Sequence, residues 1–474
     1  MCLALAASKR HTPWKTLVID VARAFLNATL AECEGQETVY VEAGDGAEGK
    51  CWVLHRALYG LRGAPCAWQN NLRTTLMTHG WEPHLLDASL YIHPSGCRLV
   101  AHVDDLLLTG PPGEVDRRCQ ELQSRYKLSV EEVDEKPTSF LGRELRKIAS
   151  GFVWGVDGDY ITKCAEEWCL SDKPCKFVVW EDETGEPVLP PRHQGEYRKC
   201  LGQLAWVDRA DVRVGVIKAA MMAGRATETS MRNVRALWQY LRTTRDHRQG
   251  VFPVEMAQGP RFDPVDGRVI VFTDADHSAC KVDGRSVSGL VVWCCIGGEA
   301  YPIVHSAKKQ GTVSLSSGEA ELTALVLGVT WALGAREIWH SVIQDHVPSV
   351  DRELVAASDS SAAIKCAKKR GASQRTRHYQ IKMFYLQSLV RFEWFRLEQV
   401  AGENMIADVM TKVNRSWSDY HMHTLGMLLP NSPLRGVPMR SRDEVPVEPA
   451  VNPTADQRFV GGVLHSTNRV GLWF

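Results

Sequence analysis

The sequence predicts an α+β protein of several domains. Three observations predict it. Carboxylates close short apolar, strand-like runs in two separate stretches, near 17–21 and 98–110 and again near 268–276 and 353–359. A region of helical spacing lies between those stretches, notably around 196–224 and 231–243. The chain has 474 residues, 44% hydrophobic and 24% charged, an ordinary globular balance with room for about three domains.

Taken in order, segment 17–30, LVIDVARAFLNATL, begins as an apolar strand and continues with helical spacing. In 98–110, RLVAHVDDLLLTG, apolar runs flank Asp104 and Asp105, which reads as a β-hairpin with two acids near its turn. Helical spacing follows over 114–128 and in the middle region. A loop rich in Pro, Gly and Asp (Gly259–Gly267) precedes a strand at 268–273. Two β-rich stretches, 286–296 and 300–306, lead to a long helix from about 317 to 343 and a strand–helix pair at 353–369. The last stretch contains Pro430, Pro433, Pro438, Pro446, Pro449 and Pro453 without sustained periodicity, and is expected to be a loose tail.

Lys+Arg and Asp+Glu both total 56. A balanced chain does not advertise nucleic-acid binding, so any basic surface must be local. The 14 cysteines show no C-x-x-C knuckle and no zinc-finger spacing. Scattered cysteines without a secretory signal point to a reducing compartment. The apolar start MCLALAA is too short for a signal core and its basic residues follow rather than precede it. No apolar run approaches about 18 residues, so no membrane span is expected.

Two sets of acids stand out. Asp20, Asp104 and Asp105 lie at strand-like positions, the first two 84 residues apart. Nucleotidyl transfer needs two divalent cations bridged by such acids, and rigid strand ends hold them better than loops. The alternative is that Asp-Asp only caps a surface turn. The second set is Asp274, Glu321, Asp359 and Asp408, drawn from separate elements. Hydrolysis of a nucleic-acid backbone by two metals about 4 Å apart needs that kind of quartet. Each member has a plainer alternative. Glu319, three residues after Ser316, closes a capping box, whereas Glu321 borders an apolar helix face. Asp359 between strand and helix reads equally as an N-cap. Asp408 alone carries no signal.

The order of local motifs resembles the Pol polyprotein of copia-type LTR retrotransposons (pseudoviruses), over its reverse transcriptase and ribonuclease H region. Asp20-Val21 with Ala24-Phe25-Leu26-Asn27 and Leu30 resembles the family's first palm motif. Leu58-Tyr59-Gly60-Leu61-Arg62, then Ala64-Pro65 and Trp68, resembles its LYGL motif, and Val103-Asp104-Asp105-Leu106 its Y-V-D-D hairpin. Phe140-Leu141-Gly142, Tyr197-Arg198 and Leu201-Gly202-Gln203-Leu204 match signals of the connecting region. Thr273-Asp274-Ala275-Asp276, Arg285-Ser286-Val287-Ser288-Gly289, Ser306-Ala307-Lys308-Lys309-Gln310 and Leu315-Ser316-Ser317-Gly318-Glu319-Ala320-Glu321 resemble its ribonuclease H hallmarks. So do Asp359 with Ala363, Arg375-Thr376-Arg377-His378, and Ala407-Asp408 with Thr411-Lys412. The resemblance runs from about residue 4 to 425.

It implies a palm-like α+β domain over 1–125, a mostly helical thumb or connection over 126–260, an RNase H-like mixed α/β domain over 261–425 and a tail over 426–474. It implies Asp20, Asp104 and Asp105 as the polymerase metal ligands and Asp274, Glu321, Asp359 and Asp408 as those of the nuclease. Each site would take two Mg²⁺ or Mn²⁺. Phe25 would gate the incoming sugar, with Arg62 at the nucleotide. Asp276 and Glu319 are neighbours of lower weight.

The implied activities are RNA-directed DNA polymerase and ribonuclease H. Their partners would be an RNA template, a DNA primer, deoxynucleoside triphosphates, an RNA–DNA hybrid and the rest of a Pol polyprotein, including integrase and fingers. Two departures bear on polymerisation: the hairpin tyrosine is His102, and only 19 residues precede Asp20 where the family carries its fingers. Polymerase activity is therefore expected to be impaired. Lys308, Lys309, Lys368, Lys369, Arg375, Arg377 and His378 are the expected nucleic-acid contacts, the alternative being a solvated helix face. The expected location is intracellular, in cytoplasmic virus-like particles or the nucleus. The competing reading is a non-catalytic remnant that at most binds nucleic acid.

Overall fold

Strands Lys15–Val21 and Asp105–Gly110 pair antiparallel, with Asp20 opposite Asp105, at the centre of a six-stranded sheet. The computed structural model describes residues 1–30, 38–42, 49–169, 173–182, 185–254, 262–371 and 374–430, and for 374–376 the backbone alone. The tail from 431, the start of the Gly259–Gly267 loop and the Arg375 side chain therefore lie outside the described residues.

The six-stranded sheet runs in the order Glu82–Pro83, Leu90–Ile92, Arg98–His102, Asp105–Gly110, Lys15–Val21, Leu128–Glu132. Helices Ala64–Thr78 and Pro112–Arg125 cover it, and Trp68, Leu72, Leu76, Val115 and Leu122 join Ile19, Leu106 and Leu108 in one core. Both helices carry Pro in their first turn, where the missing N–H removes no helical hydrogen bond. Two expectations shorten here. The helical continuation after Asp20 lasts only over Ala24–Asn27 before Ala28 turns extended. The helix expected over 114–128 ends at Arg125, because Tyr126 is extended and Leu128–Glu132 joins the sheet beside Lys15–Val21.

The helical middle is present as Gly158–Trp168, Pro191–Val207, Ala210–Met221 and Glu228–Thr243, packed around Tyr197, Leu204, Leu237 and Trp238. A five-stranded sheet that the sequence reading did not pick out accompanies it. Its order is Met427–Leu428, Arg248–Val251, Gly151–Gly155, Arg143–Ile148, Thr138–Phe140.

The third sheet is mixed. Glu299–Lys309, Val287–Ile296 and Val269–Asp276 are antiparallel, and Leu354–Ser358 and Arg396–Gln399 continue it in parallel. Val287–Ile296 is buried along its whole length, as a near-continuous apolar run requires when both faces are covered. The long helix Ser317–Ile343 covers one face. The 3-10 turn Ile406–Met410 covers the other, with Ala210 of the helical middle in the same core. An α+β sheet region bearing Asp20, Asp104 and Asp105 and a mixed α/β sheet region bearing Asp274 are both present. They meet directly: the buried Arg98 donates to the Val342 carbonyl at 2.9 Å and pairs with Asp345 at 3.1 Å, capping the C-terminal end of the long helix. Met1–Arg435 forms one compact unit. Among the described residues no helix is long and apolar enough to cross a membrane, and the cysteines are unpaired.

Candidate functional site

Asp274 sits near the end of the strand Val269–Asp276, paired with Gly289 on the neighbouring strand. Asp359 follows the strand Leu354–Ser358. It is not the helix cap: Ser360 takes that place, its hydroxyl accepting from the Ala363 amide at 3.3 Å. Asp408 comes from the turn Ile406–Met410. One carboxylate oxygen from each of the three lies within 4.8 Å of the others.

Glu321, in the first turns of the long helix, joins them. Burial first, then Asp274 and Asp359, push its carboxyl up to about 9. Burial also raises Asp274, Asp359 and Asp408 above the ordinary carboxylate range, with the neighbouring acids adding to the rise and the Lys412 ammonium opposing it. Asp408 Oδ1 and Glu321 Oε2 are buried without a hydrogen-bond partner among the described residues. Orphaned oxygens inside a carboxylate cluster fit a divalent cation, whose hard charge would satisfy them.

Residues that the sequence reading quoted without a role build this cluster. A Cβ at Gly289 would come within 2.7 Å of Met410 Cβ and 2.8 Å of Thr411 Cγ2, so only glycine lets the Asp408 turn lie on the strand opposite Asp274. Buried Gln310 donates to Ser288 Oγ and to the Ala320 carbonyl, each at 2.9 Å. It thereby fixes the loop before the long helix and the height of Glu321. The Thr411 hydroxyl donates to Asp274. Lys412 lies 2.6 Å from Asp408, and Arg415 lies 3.3 Å from it. Neither cation was singled out from the sequence. The D-x-x-T-K spacing was the available signal for Lys412.

The neighbours of lower weight are engaged elsewhere. Asp276 pairs with Lys218 at 2.9 Å. Glu319 lies about 200° around the helix from Glu321 at 3.6 residues per turn. Its amide donates to Ser316 Oγ at 3.2 Å, and its carboxylate accepts from the Leu315 amide at 2.8 Å and pairs with His378 at 3.1 Å. His378 thus has an acidic partner on the long helix. Lys309 pairs with Asp283 at 2.6 Å, while Lys308, Lys368, Lys369 and Arg377 are exposed.

In the palm-like sheet, Asp20 and Asp105 face each other across the ladder and Asp104 lies in the two-residue turn after His102. Burial, then Asp104 and Asp20, raise the Asp105 carboxyl, and the Leu141 amide of the F-L-G stretch lies against it. These three acids are not among the groups of described residues that bring three ligand atoms within 4.8 Å. Asp104 belongs to the turn while Asp105 opens the strand. Val103 takes a left-handed φ of 54°, unusual for a β-branched residue, and its carbonyl accepts from the Trp68 indole. Phe25 packs on Tyr59, ring centroids 4.8 Å apart, and Arg62 is exposed just before the helix Ala64–Thr78.

Residues 1–179 match the family model described as "Reverse transcriptase (RNA-dependent DNA polymerase)". The chain is similar to copia-type Pol polyproteins. It is 26% identical over 418 residues to the retrovirus-related Pol polyprotein from transposon RE1 of Arabidopsis thaliana, covering 84% of this chain and 26% of that protein. It is 24% identical over 425 residues to the corresponding polyprotein from transposon TNT 1-94 of Nicotiana tabacum, covering 83% and 29%. The chain thus spans about a quarter of the length of these polyproteins. Among solved structures it is similar to a foamy viral protease-reverse transcriptase in complex with an RNA/DNA hybrid, with a TM-score of 0.45 and 12% identity over 92% of this chain and 46% of that one. In this reverse transcriptase relative, Asp20, Asp104 and Asp105 fall inside the matched segment, and the tighter Asp274 cluster falls outside it.

Proposed function

We propose that this chain is a retrotransposon-derived enzyme of reverse transcription whose region 261–425 acts as a ribonuclease H. In this reading it hydrolyses the RNA strand of an RNA–DNA hybrid at the Asp274, Glu321, Asp359 and Asp408 cluster. The observation that carries the reading is the convergence of Asp274, Asp359 and Asp408 from three separate elements, with Glu321 of a fourth acting on the same charges, and with orphaned oxygens on Asp408 and Glu321. Two Mg²⁺ or Mn²⁺ ions held by these acids would supply an activated water and a Lewis acid for the leaving 3′ oxygen. The chain's own residues hold and orient. Gly289 lets the Asp408 turn approach, Thr411 orients Asp274, and Gln310 fixes the helix that carries Glu321. Exposed Lys308, Lys368, Lys369 and Arg377 would track the phosphates of a hybrid read by its shape and 2′-hydroxyls.

The region 1–125 in this proposal is the polymerase palm. Asp20, Asp104 and Asp105 would hold metals for deoxynucleotide addition to a DNA primer on an RNA template, with Phe25 beneath the incoming sugar. The site of action is intracellular. The test is a labelled RNA–DNA hybrid incubated with the purified chain and Mg²⁺ or Mn²⁺. Cleavage of the RNA strand is expected, suppressed by EDTA, with single-stranded RNA and duplex DNA left intact. No cleavage, or cleavage that persists in excess EDTA, overturns the reading.

A further inference from the structure

The nuclease acid cluster already contains a positive charge. Lys412 Nζ lies 2.6 Å from Asp408 Oδ2 and 3.9 Å from Asp274 Oδ2, so the ammonium bridges two of the three clustered acids. Its charge also acts on Asp359 and Glu321. The root of this side chain is fixed. Thr411 before it is fully buried and bonded to Asp274, and the Lys412 amide donates to the Asp408 carbonyl at 2.8 Å. The side chain itself is 43% exposed. It can therefore leave toward solvent while its backbone stays. Lysine suits that movement, being a compact point charge on a flexible four-carbon stem. Arg415, the second cation at Asp408, instead rests over the Trp417 ring at 4.9 Å.

A carboxylate oxygen that receives an ammonium at hydrogen-bond distance cannot at the same time bind a divalent ion at about 2.1 Å without the two cations repelling strongly. We propose that Lys412 is a resident counter-cation that competes with a divalent ion for the Asp274–Asp408 edge of the cluster. It sets the metal concentration at which that edge fills, and it yields the edge by swinging into solvent. The proposal rests on the metal-site reading above.

The test is equilibrium binding of Mn²⁺ alone, without nucleic acid, followed by the electron paramagnetic resonance signal of free Mn²⁺. The full 474-residue chain is used. Every protein carries Asp20→Asn, Asp104→Asn and Asp105→Asn, which removes the palm carboxylates from the measurement. Lys412→Met should tighten the weaker Mn²⁺ site by about tenfold or more, the effect of removing a unit charge a few ångströms away. Lys412→Arg, which keeps the charge, should stay within about threefold of the parent. Lys412→Gln repeats the test if methionine lowers the melting temperature. An unchanged or weaker Mn²⁺ affinity in the uncharged variants overturns the proposal. Asp274→Asn separates the two possible failures. If it abolishes Mn²⁺ binding while Lys412→Met is inert, the lysine proposal alone fails. If Asp274→Asn leaves binding unchanged, the metal-site reading fails with it.

Discussion

Asp20 stands on a strand beside a hairpin that carries Asp104 and Asp105, whereas Asp274 and Asp408 are each only 2% exposed and share a cluster with Asp359, with the charges of Asp274 and Asp359 acting on Glu321. Both regions place acids at the ends of apolar strands. They differ in what surrounds the acids. Around Asp274 and Asp408 a glycine, a buried glutamine and a buried threonine pin the elements that bear them. In the palm-like region a strained turn presents them, tied by the Trp68 indole to Val103. A site assembled from four elements inside a core is organised before any ion arrives, at the cost of crowding like charges. A site on one hairpin and its neighbour avoids that cost and leaves more of the geometry to substrate and metal.

The largest expected effect breaks the nuclease side of the contrast. Asp274→Asn or Asp359→Asn keeps the side-chain size and removes a ligand charge. Cleavage of a labelled hybrid should fall by at least about a hundredfold with the circular dichroism spectrum unchanged. Asp104→Asn should leave the same cleavage within about twofold, since additivity holds for sites without shared partners. Equal losses in both regions would mean that the two sites act as one.

Gly289→Ala tests whether close approach, and not the acids alone, makes the cluster. The added methyl would meet Met410 and Thr411 at contact distances that real side chains avoid, with the Ala407 carbonyl at 2.9 Å. A loss of about 2–4 kcal/mol in denaturant unfolding is expected, together with loss of cleavage. A neutral substitution would show that the Asp408 turn can lift off the strand without consequence.

The crowding itself predicts a pH dependence. In the metal-free protein the folded carboxyl of Glu321 is raised from 4.5 to about 9. A group raised in the folded state favours folding when protonated, so its contribution is full below the unfolded value and is lost as pH rises through the folded one. Stability of the metal-free chain should therefore decline between about pH 4.5 and 9, and Mg²⁺ should restore it most at the alkaline end. Thermal melts with EDTA and with Mg²⁺ across this range check it. A metal-free melting temperature that rises over the window sinks the crowded-cluster account.

These contrasts also explain what the sequence made legible. Asp20, Asp105, Asp274 and Asp359 could be read because each borders a short apolar run of strand length. The long helix over 317–343 could be read from its unbroken apolar spacing. Asp408 could not be read from its surroundings. It sits in a short 3-10 turn, and its place depends on Gly289, more than a hundred residues earlier. Lys412 and Arg415 lie only four and seven residues after Asp408, and without a role for Asp408 legible in its surroundings neither stood out. The strands Thr138–Phe140 and Arg143–Ile148 were missed because they are short and polar, with only Leu145 fully buried in the second. There the alternation that would mark a strand is hidden by charged residues.

The smallest expected effect sharpens the palm side of the contrast. Val103 and Asp104 form a two-residue hairpin loop between His102 and Asp105, and only the first of them has positive φ. That is the type II′ pattern, which favours glycine at its first central position. A β-branched residue held there costs roughly 1–2 kcal/mol relative to glycine. Glycine in turn gives back about 0.5–1 kcal/mol through the greater freedom of the unfolded chain. Val103→Gly should therefore stabilise the chain by no more than about 1.5 kcal/mol in a urea titration. The Trp68 hydrogen bond should survive, because its acceptor is the backbone carbonyl. The lost side chain is 43% exposed, so little apolar burial is forfeited. A destabilisation of more than about 1 kcal/mol would mean that contacts of the valine outweigh its backbone strain. The palm hairpin would then be as closely specified by packing as the nuclease cluster, and the contrast between the two regions would be lost.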